Sequence, residues 1–155
     1  MQESLVRALR DRRAKIRGRW DALLRAEPVL SPLGHPDALV HLINWTLDEI
    51  FAALSDPLMP CHASTQGTMQ PTAVCSCGRN PLLAFYAVAE QALHEGLVLA
   101  QAASAPLDPT VRDASLEELN AVLQRISRRE IEAFCGVCQF REAMERQPLL
   151  LAEAR

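Results

Sequence analysis

At 155 residues, with 49% hydrophobic and 23% charged side chains, the chain fits one ordinary globular domain and neither a disordered nor a fibrous class. Few glycines and much Ala, Leu, Glu and Arg favour helix over sheet. A net charge of -3 gives no general attraction to nucleic acid or anionic lipid. No apolar run reaches membrane-spanning length, and the charged N-terminal residues Glu3, Arg7 and Arg10 do not read as a signal peptide, so a cytoplasmic protein is expected.

Leu5, Leu9, Ile16, Trp20, Leu23 and Leu24 recur at helical spacing and predict a first helix over 3–26, interrupted only by Gly18. Arg7, Arg10, Arg12, Arg13, Lys15, Arg17, Arg19 and Arg25 crowd this segment. They are read chiefly as a solvated face, with a polyanion-binding surface as the alternative. Neither aromatic interleaving nor helix-turn-helix spacing supports the reading of bases, so no nucleic acid is expected as partner.

Pro28, Pro32, Gly34 and Pro36 break the pattern, and the short connection favours an antiparallel neighbour. A second helix is expected over 36–54, with Pro36 at its first position, Asp37 in its first turn, and Val40, Ile43, Leu47, Ile50 and Leu54 on one face. From Ser55 to Asn80 the periodicity disappears. This long loop carries Pro57, Pro60, Pro71, Cys61, His62, Cys75 and Cys77, and loops of such length inside a compact domain are usually functional or disordered.

Asn80-Pro81 restarts a helix over 81–103 that is apolar nearly all round, with Ala84, Ala87, Ala89, Ala92 and Gly96 permitting close approach, so it should be the most buried. Asp108-Pro109 repeats the start signal, with Ser115 and Glu118 as a capping box a little later. The last helix is expected over 109–146, ended by Pro148. Leu116, Leu119, Leu123, Ile126, Glu130, Ala133, Val137, Phe140 and Met144 form its heptad seam, broken by one acid that needs a partner such as an arginine or His94. Together these segments predict a single all-α domain over 1–155, an antiparallel four-helix bundle with a long cysteine-containing loop between its second and third helices. A seam of this kind can also be satisfied between two chains, which makes a homodimer an alternative.

The chemistry-bearing feature is the cysteine set. Cys75 and Cys77 stand two apart in the loop, and Cys135 and Cys138 three apart in the last helix. On a strict seam the helical pair falls on the flank away from Ala133, Val137 and Phe140, in water unless the loop covers it. Gly136, which costs about 0.5–1 kcal/mol relative to Ala inside a helix, asks for a close approach by that loop. Four thiolates suit the tetrahedral site that zinc prefers, so Cys75, Cys77, Cys135 and Cys138 are the expected metal ligands. An iron-sulfur cluster or a dithiol redox pair on the same cysteines are the alternatives. Cys61 and His62 are read as loop residues outside this set.

Two further arrangements have little support. His41 and His94 lack a haem attachment sequence, and Glu90, His94, Asp48 and Glu49 lack the paired Glu-x-x-His motif of carboxylate-bridged di-metal sites. No nucleophile elbow, phosphate loop, dinucleotide fingerprint or His-Glu-x-x-His is present, so the chain is read as a non-catalytic regulatory or interaction module with an unidentified protein partner. The stretch from Trp20 through Pro32-Leu33-Gly34 to Leu54 resembles the helical N-terminal sensor domains of bacterial stress regulators, a likeness that omits the cysteines and from which no function or residue role is carried across.

Overall fold

A computed structural model describes residues 1–28, 34–55, 80–104 and 107–152, with side chains in the last stretch to Val137. Among the described residues the chain is all-helical, in five helices: α1 (Glu3–Asp11), α2 (Arg13–Ala26), α3 (Pro36–Ser55), α4 (Leu82–Ala103) and α5 (Pro109–Ala152). The expected four therefore become five, because the first splits at Arg12 (φ -91°, ψ 2°), where the Arg12 N–H bonds back to Leu9 O in a tightened turn. Gly18, the anticipated interruption, lies inside α2.

The helix starts follow their local chemistry. Pro36 opens α3, with its fixed φ suited to a first turn. Asp108 caps α5 by accepting the Thr110 N–H (2.8 Å) and hydroxyl, which holds its carboxyl below the usual carboxylate range. Ser115 is not a cap. It is buried within α5, its hydroxyl donating to Val111 O and Arg112 O (both 2.8 Å). At the other end α5 continues to Ala152, past the end expected near Arg146, because a proline removes one hydrogen bond and crowds one turn without necessarily ending the ladder beyond it.

Side-chain partners give the helix directions. Arg10 reaches the end of α3 at Phe51 and Ser55, Arg13 its middle at Asn44 and Asp48, and Arg25 its start at Asp37, so α3 runs antiparallel to α1 and α2. Trp20 stacks on Phe85 near the start of α4 (centroids 4.8 Å apart), while Ile16 and Arg19 meet Gly96 and Glu95, so α4 is antiparallel to α2 as well. Gln101 bonds Ser115, His94 bonds Asn120 and Asn80 bonds Ile131, making α5 antiparallel to α4. It follows that α3 and α4 are parallel to each other. The chain leaving Ser55 must return along the length of the domain before Asn80, a requirement that rules out a short turn and that the 24 residues of 56–79 are long enough to meet.

The core draws on all five helices: Leu5 and Leu9 of α1, Ile16, Trp20 and Leu24 of α2, Ile43, Leu47 and Ile50 of α3, Phe85, Leu93 and Leu97 of α4, and Leu119, Val122 and Ile126 of α5. As expected from its composition, α4 presents many buried residues, packing against α1, α2 and α5. Its Gly96 lets α2 come so close that a Cβ there would lie 2.7 Å from the Ile16 side chain.

Candidate metal centre

The sequence expectation places Cys135 on the outside of the last helix. It lies instead half-buried against the core, beside the start of α4. Ala133 and Val137, expected to continue the buried seam, are exposed, Val137 at 64%. The physical reason is tertiary: towards this end of α5 the neighbour is the start of α4, where Asn80 donates to Ile131 O and Cys135 Sγ, so that contact and not the continued heptad sets the covered side. Ile131 and Cys135, one turn apart, accordingly lie against the start of α4, about 120° and 160° around the helix from Leu119 at about 100° per residue.

Asn80 covers Cys135. Only 4% exposed, Asn80 accepts the Leu82 N–H at Oδ1 (3.0 Å), capping the first turn of α4, and donates from Nδ2 to Ile131 O (3.2 Å) and Cys135 Sγ (3.4 Å). A cap legible in the sequence thus doubles as a clamp between two helices, a role that spacing alone does not reveal. Of the other expected ligands, Cys75 and Cys77 lie outside the described residues, as do Cys61 and His62, and for Cys138 only the backbone, within α5, is described. Among the described residues no group of three or more His, Cys, Asp or Glu side chains is assembled to hold a metal. Nor does any described atom come within 4 Å of a Cβ placed on Gly136.

The acid on the α5 seam finds its arginine. Arg129 bonds Glu130 (2.7 Å) and, across to α3, Glu49 (2.7 Å). Tyr86 of α4 sits beside this cluster. Burial, reinforced by the charges of Glu130 and Glu49, pushes its hydroxyl well above the usual range against the opposing hydrogen bond to Thr46. The second Glu49 oxygen, Oε2, is buried without a hydrogen-bond partner among the described residues. His94 bonds Asn120 while His41 is exposed on α3, and Asp48 is engaged by Arg13, so the histidines and carboxylates weighed from the sequence serve separate contacts.

Most of the arginine-rich face is committed within the molecule. Arg7 pairs with Glu3, Arg13 with Asp48, Arg19 with Glu95 through two bonds (2.7 and 2.9 Å), and Arg25 with Asp21 and Asp37, while Arg10 donates to Phe51 O and Ser55 Oγ. Arg12, Lys15 and Arg17 are the cations of this segment without a partner among the described residues. Arg12 and Lys15 border a shallow depression of about 300 Å³ shared with Asp11 and the end of α4.

One surface escaped the sequence reading. Trp45 is 55% exposed and Leu42 38%, and with exposed Ala38 and Ala52 they form an apolar stripe on the outer side of α3. Positions 38, 42, 45, 49 and 52 step by four and three, a second periodic face that was legible but overshadowed by the stronger core face, and it is interrupted by Glu49, which pairs with Arg129 of α5. No family model matches this chain, and comparisons with curated proteins and with solved structures return no match.

Proposed function

We propose that this protein is a non-catalytic regulatory or interaction module whose 55–80 connection is clipped to α5 by a metal ion, zinc, held by Cys75, Cys77, Cys135 and Cys138. The architecture in this reading is a four-position helical bundle, with α1 and α2 forming one broken arm that faces α3 and α4. Loss of the metal would free the connection, so the clip would serve as a metal or redox sensor in a reducing cytoplasm.

The observation that carries the proposal is the Asn80 clamp. Asn80 is fixed against Cys135, and Cys77 and Cys75 precede it by only three and five residues, so chain geometry keeps their Cα atoms within about 11 and 18 Å of the Asn80 Cα. The donor chemistry fits a thiolate centre. A ligating sulfur is a charged acceptor, and an amide N–H directed at it is the kind of outer contact that orients and stabilises metal ligands. When bound, zinc would supply a redox-inert tetrahedral crosslink. The exposed Leu42 and Trp45 of α3 support the interaction side of the reading, since large apolar side chains exposed on one helix face suit a docking surface for a protein partner, whether another protein or a second copy of this chain.

Metal analysis of freshly purified protein, repeated on Cys135→Ser, tests the proposal. About one zinc per chain in a colourless wild type, lost in the variant, is the expected result. A brown protein with visible absorption would replace zinc by an iron-sulfur cluster, and a wild type without metal would end the clip reading in favour of free or redox-active thiols.

A further inference from the structure

We draw no further inference here: the strongest candidate, the apolar outer face of α3 formed by Ala38, Leu42, Trp45 and Ala52, carries nothing beyond the interaction role already proposed because nothing in the structure shows what covers it.

Discussion

Gly96 and Gly18 both sit inside helices, yet the same substitution should act on them with opposite signs. At Gly96 an added methyl would collide with Ile16 Cγ1 and Cδ1 at 2.7 and 2.8 Å, so Gly96→Ala is expected to destabilise by about 1–2 kcal/mol through overpacking, despite a better helix propensity. At Gly18 nothing lies within 4 Å, and Gly18→Ala should stabilise by about 0.5–1 kcal/mol. Urea unfolding of the two variants measures both signs. In an Ile16→Ala background the penalty at Gly96 should largely vanish, because the colliding atoms are gone. Asn80 makes a different kind of residue-level prediction. Asn80→Ala removes the cap of α4 and both Nδ2 contacts, at an expected cost of about 1–2 kcal/mol, whereas Asn80→Ser keeps a capping oxygen and should recover most of it. Hydrogen exchange at the Leu82 amide reports the cap directly. Both the glycine in the apolar helix and the Asn-Pro start were legible in the sequence. Their partners, Ile16 and Cys135, were not, since each is distant in the chain and its approach depends on how two helices cross.

At the scale of elements, α5 shows where periodicity stops being informative. Leu119, Leu123 and Ile126 lie in the core as a heptad reading expects, but Ala133 and Val137 do not, because the covered side of α5 depends on the neighbour beside it, and beyond Ile126 that neighbour is Asn80 at the start of α4. Cys135 moves from the expected outer flank to the side facing α4 for the same reason. The arginines of α1 and α2 teach a complementary lesson: their number was plain, but their acidic partners on α3 and α4 became visible only once those helices were brought alongside. One pair carries a pH prediction. The Arg19 guanidinium, assisted by Gln91, holds the Glu95 carboxyl down at about 2 against an ordinary value of 4.5. A carboxyl depressed in the folded state contributes stability that is present above its unfolded value and is lost as pH falls through the folded one. The melting-temperature difference between wild type and Glu95→Gln, measured from pH 6 downward, should therefore shrink between pH 4.5 and 2. Both side chains are exposed, so the difference should be small at any pH and smaller in high salt.

For the whole molecule, the decisive feature is that α3 and α4 run parallel. The connection between them must cover roughly the length of a 20-residue helix, about 30 Å, which needs about nine residues even when fully extended. Replacing 56–79 with a glycine-serine linker of equal length should therefore preserve the helical fold, while a four-residue linker should abolish it, as read by circular dichroism and cooperative unfolding. The equal-length replacement should also eliminate bound metal if Cys75 and Cys77 are ligands, which separates the topological role of the segment from its chemical one. The two tryptophans provide a check on packing. Trp20 is fully buried and Trp45 is 55% exposed, so iodide should quench the Trp45 emission and leave a blue-shifted, protected signal in Trp45→Phe.

Several properties were determined by the sequence alone: the all-helical class, the proline-marked starts of α3 and α5, the buried character of α4, and the need of Glu130 for a basic partner. These depend on residues close together in the chain, through backbone propensity, capping and the spacing of apolar side chains. Only the tertiary structure decided the break at Arg12, the parallel course of α3 and α4, the internal pairing of the arginines, and the position of Cys135 beneath Asn80. Each of these depends on which helices become neighbours and at what rotation, and that is set by the joint packing of Trp20, Phe85, Gly96 and their neighbours, not by any one segment.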